Sequence, residues 1–426
     1  MQKSESTHIP KPPIKLDRNK WARSKLEKAN AFADHLAKVF VPNEATPGSD
    51  EAEIDDILQQ DFQLYLRLKI VTPREVQRTI QQMENRKAPG FDLIDKKVLS
   101  ELPRKAITYL TTLFNRIISV GYFPALWKVS QVIMVHKPGK SPHDVSSYRP
   151  ISLLPIVSQV LEKVLLRRLS QAIHKNSIIP DHQFGFRAQH GTIEQTHRVC
   201  KFISNSLELK EYCSSAFLDV QQAFDRVWHK GLLCKIKSLL PHIFYGILES
   251  YITDRIFQVK EMDCTSGFHD ILAGVPQGSV LGPVLYTIYT SDLPRTSEVN
   301  IATYADDTAI LASSKQPEEA TLKLQRSLYE ISNWFDRWRI RVNTSKSVQV
   351  IFTLRRKTCP PVNLGGKELP QSDTVKYLGL HLDRRLKNTS KQNGVRSTLN
   401  IRGCIGYWVE TRNCPSTTNS LSTILL

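Results

Sequence analysis

The chain has 426 residues, 41% of them hydrophobic and 23% charged, an ordinary globular composition that excludes a wholly disordered chain. Lys and Arg number 58 against 41 Asp and Glu, a net +17, which suits a polyanionic partner, of which nucleic acid is the commonest. No early apolar run resembles a signal peptide and none is long enough to span a membrane, so the expectation is an intracellular chain, in nucleus or cytoplasm, with no membrane partner.

Residues 1–20 hold Pro10, Pro12, Pro13 and five cations, a composition that predicts disorder. Apolar positions Leu26, Phe32, Leu36 and Phe40 predict a helix over 21–40. Residues 44–61 carry seven acids and no base, with Pro47, Gly48 and Ser49, and read as a solvated linker. Thr72 followed by Pro73 and Glu75 predicts a capped helix to about residue 84. A Lys-Pro-Gly loop fills 85–91, and 102–120 is again helical. Residues 101–170 concentrate ten cations against three acids.

From residue 129 the texture changes to short strands among helices. A strand is predicted over 129–135, a cationic turn over 136–140 and a basic helix over 156–174. Residues 214–220 read as a strand and 221–228 as the opening of the next helix. An apolar helix follows over 280–292, then strands 301–305 and 308–312 around a two-residue turn, a helix over 321–340, and strands 348–352 and 375–382. Without a strict βαβ repeat, this alternation predicts an α+β fold. The seven cysteines show no metal-ligand spacing and are expected as free thiols.

Three segments carry chemistry. Tyr304-Ala305-Asp306-Asp307 places adjacent carboxylates at an apolar hairpin tip. Alone, such a pair is more often a polar turn than a site. The run AFLD, residues 216–219, is an apolar strand that ends in a third carboxylate, Asp219. Three clustered negative charges need cations, and Mg²⁺ commonly bridges one or two carboxylates to substrate phosphates. The third segment, AGVPQGS at 273–279, is a loop of small residues through which backbone approaches a flat ligand.

These segments resemble motifs A, B and C of reverse transcriptases. Within non-LTR, LINE-like retrotransposons, SSYRPISLLP (146–155), FLDVQQAFDRVWH (217–229) and GVPQGSVLGPVLYTIYTSDLP (274–294) look like the jockey group. The resemblance runs from about residue 21 to 386. It implies a right-hand polymerase that adds dNTPs to a DNA 3′ end on an RNA template. It implies two Mg²⁺ ions, with Mn²⁺ as a substitute, on Asp219, Asp306, Asp307 and the Val220 carbonyl. Lys346 matches a proton donor to pyrophosphate. Lys137 and Arg149 match triphosphate-binding cations, Phe224 a steric gate, and Gln277 and Gly278 the nucleotide-facing loop. Phe184, Gly185 and Arg187, in QFGFRAQHGT (183–192), match a template-touching segment. Tyr377, Leu378 and Gly379 match the primer-grip hairpin.

The implied layout is a disordered basic N-terminus (1–20), a helical extension with an acidic linker (21–100), fingers and connecting region (101–213), palm (214–386) and a reduced, truncated helical thumb (387–426). Asp225 reads as structural, and Trp127, Trp228, Trp334 and Trp338 as core. Expected partners are RNA template, DNA primer and dNTP, within a ribonucleoprotein of the element's RNA. The alternative is a truncated, catalytically weak relic that mainly binds RNA. An RNA-dependent RNA polymerase is disfavoured by the bulk of Phe224.

Overall fold

The computed structural model describes residues 11–17, 20–45, 51–61, 69–85 and 87–386. Residues 387–426, where the reduced thumb was expected, lie outside them.

One five-stranded sheet carries the carboxylates. Its order is Gln371–Ser372, Val348–Phe352, Tyr212–Leu218, Asp307–Ser314, Asn300–Tyr304. Tyr212–Leu218 is central and all seven residues are buried, because neighbours cover both edges and layers cover both faces. That explains a run of small and apolar residues in place of alternation. The strand pairs antiparallel with both neighbours, Leu218 opposite Thr308 and Phe217 opposite Val348. The helices Pro317–Arg337 and Thr192–Glu208 pack on the sheet.

The second five-stranded sheet joins Tyr148–Leu153, Val129–His136, Arg255–Glu261 and Cys264–Thr265, with His269–Ile271 also paired to Arg255–Glu261. Val129 lies parallel to Ile256. A strand numbered within the predicted palm is thus the parallel partner of one numbered within the predicted fingers. A parallel pair needs a long crossover, and here the central strand Tyr212–Leu218 lies within that connection.

Several predicted elements hold closely. The helix predicted from residue 21 is Lys25–Val39, starting later because Lys20–Ala22 is a strand and Ser24 forms a capping box with Glu27. Thr72 caps Pro73–Gln81 through its side chain. Val348–Phe352 matches its predicted bounds, and 375–382 is a hairpin of Thr374–Tyr377 and Leu380–Asp383. Trp228, Trp334 and Trp338 are buried and Trp127 packs against the same core. Cys200, Cys213, Cys234, Cys264 and Cys359 are free thiols.

Others need correction. Disorder does not extend through residue 20, because Ile14–Asp17 pairs with Lys20–Ala22 and Ile14 is fully buried. The acidic stretch is no linker throughout. Glu51–Gln59 is a helix whose Glu51, Glu53 and Asp55 pair with Arg339, Arg337 and Lys230, so acids that read as solvated have cationic partners far along the chain. The basic helix Ile156–Lys175 likewise spends charge internally, with Arg168 paired to Glu75 at 2.6 Å and Arg167 donating to Thr79 and Gln82. Residues 221–228 are not helical; the helix begins at His229.

Candidate active site

Asp219 follows the central strand, at the point where its backbone leaves the sheet. Its N–H donates to Ser347 Oγ at 3.0 Å and its carbonyl accepts from Asn343 N–H at 2.8 Å. Val220 bridges to Val342, and Gln221 N–H donates to the Arg341 carbonyl. The loop before strand Val348–Phe352 thus fixes the backbone of the first carboxylate. The same loop brings Lys346 Nζ to 3.5 Å from Asp219 Oδ2.

The other two carboxylates sit one strand away. Tyr304 pairs with Asp307, so the turn is Ala305 and Asp306, one residue earlier than predicted, and Asp307 opens its strand. Ala305 has φ +56°, a left-handed backbone at the first turn position, where glycine is usual in tight hairpins. Because Leu218 is registered opposite Thr308, the end of the central strand lies beside this turn.

The electrostatics show the proximity. Burial raises the Asp306 carboxyl, and Asp219 raises it further, against a lowering by Arg149. Asp307 is pushed up to about 6, first by desolvation, then by Asp306 and Asp219. It is open to solvent on one side, yet surrounding protein withdraws enough water to disfavour its charge. Among the described residues, no three His, Cys, Asp or Glu side chains stand as a ready-made metal-binding set. The carboxylates are neighbours whose negative charges disfavour one another, and hard oxygen donors of this kind suit Mg²⁺ or Mn²⁺.

Cations come from the second sheet. Lys137 follows strand Val129–His136, half-buried, and donates to the Ser146 carbonyl at 2.7 Å. Its ammonium is lowered by desolvation and by the positive charges of Arg149 and Lys346, and raised by Asp225. Arg149, on the paired strand, is exposed.

The small-residue loop meets the strand Tyr148–Leu153, which also bears Arg149. Gln277 Nε2 donates to Asp225 Oδ1 at 2.7 Å, and Gln277 carbonyl accepts from Ser152 N–H at 2.7 Å. Gly278 has φ +107°, and a Cβ there would meet the Ser152 carbonyl oxygen at 2.7 Å. Asp225 is buried and pushed up to about 7 by desolvation, with Gln277 and Lys137 pulling the other way. Its structural assignment gains a definite content: it holds Gln277. Phe224 stacks on buried Tyr286, with centroids 4.5 Å apart and planes at 24°, and meets exposed Phe186 edge-on at 5.8 Å.

The remaining predicted residues are placed as follows. Arg187 donates to the carbonyls of Pro180 and Gln183, Phe184 packs on His190 beneath Arg198, and Gly185 lies against Ala305. Tyr377 is buried, its hydroxyl donating to the Ala302 carbonyl at 3.3 Å, while Leu378 and Gly379 form the hairpin turn with φ +47° and +82°. Of these six, only the turn residues Leu378 and Gly379 and the partly exposed Phe184 and Arg187 reach the surface.

Two residues escaped the sequence reading. Glu162, fully buried, accepts from the N–H groups of Val280 (2.8 Å) and Leu281 (3.1 Å), just ahead of helix Gly282–Tyr289, and from Ser158 and Tyr251. Its signal was an acid on the apolar face of a helix. Phe186, the exposed aromatic of the FGF run, stands against Phe224.

Three neighbouring carboxylates thus stand at the ends of adjacent strands, with Lys346 beside Asp219 and Arg149 acting on Asp306, an arrangement suited to nucleotidyl transfer. A family model described as reverse transcriptase (RNA-dependent DNA polymerase) matches residues 135–382, more than half of the chain. The chain belongs to the reverse transcriptase family. It is 44% identical over 385 residues to the RNA-directed DNA polymerase from mobile element jockey of Drosophila melanogaster, covering 88% of this chain and 42% of that one. It is 42% identical over 418 residues to the probable RNA-directed DNA polymerase from transposon X-element of the same species, covering 97% and 46%. A solved structure of apo telomerase from Candida tropicalis, truncated from C-terminal domain, aligns at TM-score 0.44 and 13% identity over 68% of this chain and 61% of its own. The chain spans less than half the length of these two curated relatives. No described helix is long and apolar enough to cross a membrane.

Proposed function

We propose that this chain is an RNA-directed DNA polymerase of the jockey type, adding dNTPs to a DNA 3′ end on an RNA template. The observation that carries this reading is the strand register that sets Asp219 beside the Asp306–Asp307 turn, with Lys346 3.5 Å from Asp219 and the charges of the three carboxylates acting on one another. The three carboxylates and the Val220 carbonyl would hold two divalent ions. Two such ions would supply stabilisation of the attacking and leaving oxygens of an in-line displacement.

The chain's own residues do the rest. Lys137 and Arg149 receive the triphosphate and offset its charge. Lys346, beside Asp219, supplies a proton to departing pyrophosphate. Phe224, braced by Tyr286, blocks a ribose hydroxyl by steric clash. Gln277, oriented by Asp225, and Gly278 face the nucleotide. Phe184, Gly185 and Arg187 lie on the template side, and Tyr377, Leu378 and Gly379 shape the primer-side hairpin. Residues 101–213 with 255–271 form the fingers, and the remainder of 214–386 the palm.

The test is primer extension on an RNA template with dNTPs and Mg²⁺, with Asp306→Asn alongside. The wild-type chain extends the primer. Asp306→Asn falls at least roughly a hundredfold while RNA binding, carried by Lys and Arg on phosphates, barely changes. RNA binding without extension by the wild type would overturn the polymerase reading in favour of an RNA-binding relic.

A further inference from the structure

Residues 182–185 run along the free edge of strand Asn300–Tyr304. Thr303 N–H donates to the His182 carbonyl at 3.0 Å, and Phe184 N–H donates to the Thr303 carbonyl at 2.9 Å. Gln183 bridges Thr303 in parallel. Gln195, fully buried, secures this extra strand by donating to the carbonyls of both His182 and Thr303 at 3.0 Å.

From that edge Gln183 reaches the carboxylate-bearing turn. It is buried, 3% exposed. Its Oε1 accepts from Ala305 N–H at 2.9 Å and from Gly185 N–H at 2.8 Å. Its Nε2 donates to the Ala305 carbonyl at 3.3 Å. Both ends of one amide thus grip the backbone of Ala305, the residue immediately before Asp306. The approach is so close that a Cβ at Gly185 would stand 2.2 Å from Ala305 N. Ala305 needs such a hold, since its φ of +56° is a conformation that residues with a Cβ disfavour.

We propose that Gln183 is a positioning residue for the metal-binding carboxylates: its amide clamps Ala305 in the left-handed conformation that keeps Asp306 and Asp307 facing Asp219. This rests on the metal-site reading above. The clamp needs an acceptor and a donor on one short arm, which fits an amide. A leucine would leave the Ala305 and Gly185 N–H groups unpaired, and a glutamate would keep the acceptor, lose the donor and bury a charge. Gln183 is occupied on both sides by backbone and does not face template.

The experiment measures Mn²⁺ binding by electron paramagnetic resonance on the whole chain with template–primer, and Mg²⁺ dependence of extension. It compares wild type, Gln183→Leu, Gln183→Glu and Asp306→Asn. Gln183→Leu is expected to need about tenfold more metal in both assays, a loss of the order of one hydrogen-bonded contact, with template–primer affinity unchanged. Gln183→Glu falls between. Adding Ala305→Gly to Gln183→Leu recovers part of the loss, because glycine adopts positive φ without strain. If Gln183→Leu misfolds, Gln183→Glu and its metal requirement decide. Equal metal requirement in wild type and both Gln183 variants overturns the clamp, as does weakened template binding with an unchanged metal requirement. Wild type that binds no more Mn²⁺ than Asp306→Asn overturns the metal-site reading itself, and the clamp with it.

Discussion

The side-chain amide of Gln277 donates to the buried carboxylate of Asp225 across 2.7 Å, tying the small-residue loop to the turn after the central strand. The same two segments meet again where Gly274 N–H donates to the Val227 carbonyl and Val275 N–H to the Phe224 carbonyl, both at 2.8 Å. Asp225→Ala frees the Gln277 amide. KM for dNTP should rise roughly tenfold or more, the cost of one unmade hydrogen bond to a charged or strongly polar partner. Asp225→Asn keeps an acceptor and should stay near wild type. Steady-state kinetics on both variants check this, and an unchanged KM in Asp225→Ala would refute it.

Phe224 is held flat against Tyr286 and edge-on to Phe186, so its position is fixed from two sides. Phe224→Val removes the ring without opening a large cavity. Incorporation of ribonucleotides relative to deoxyribonucleotides should rise about 10- to 100-fold. Competition between the two nucleotide types on one template measures it. Full retention of deoxyribonucleotide preference would remove Phe224 from the gate.

Asp307 holds its proton up to about pH 6 because burial and then Asp306 and Asp219 disfavour its charge. A metal must displace that proton. Apparent Mn²⁺ affinity should therefore be level above pH 7 and fall about tenfold per unit below pH 6, as one proton competes with the ion. The sign follows from the raised value: the ligating form is the deprotonated one, present above the shifted pKa. Titrations of metal at pH 5 through 8 check this, and an affinity flat down to pH 5 would contradict it.

Glu162 ties the helix Ile156–Lys175 to the start of helix Gly282–Tyr289, through two backbone N–H groups, and to Tyr251. Glu162→Ala leaves those donors buried and unpaired beside buried Arg255, and should lower stability by about 3 kcal/mol. Glu162→Gln keeps one oxygen for the two N–H groups and should lose roughly 1 kcal/mol or less. Urea unfolding of the two variants gives the comparison. Equal stability of Glu162→Ala and wild type would show that the cap is dispensable.

The sequence by itself determined that strands flank Asp219 and the Asp306–Asp307 pair, that Thr72 caps a helix and that a glycine loop surrounds Gln277, although the hairpin turn falls one residue earlier than its pattern indicates. Local pattern and turn chemistry carry those features, and they suffice to recognise the family. It could not determine where charges go. The acids of Glu51–Gln59 looked solvated, and the pairing of Arg168 in the basic helix left no sign, because the partners, Arg339 for Glu51 and Glu75 for Arg168, lie tens to hundreds of residues away. Nor could it show that Arg255–Glu261 pairs with Val129–His136, since parallel pairing of distant segments leaves no local mark. The hold of Gln183 on Ala305 belongs to the same class. A lone glutamine carries no periodicity, and its role exists only once an edge segment folds back against the turn whose left-handed residue it grips.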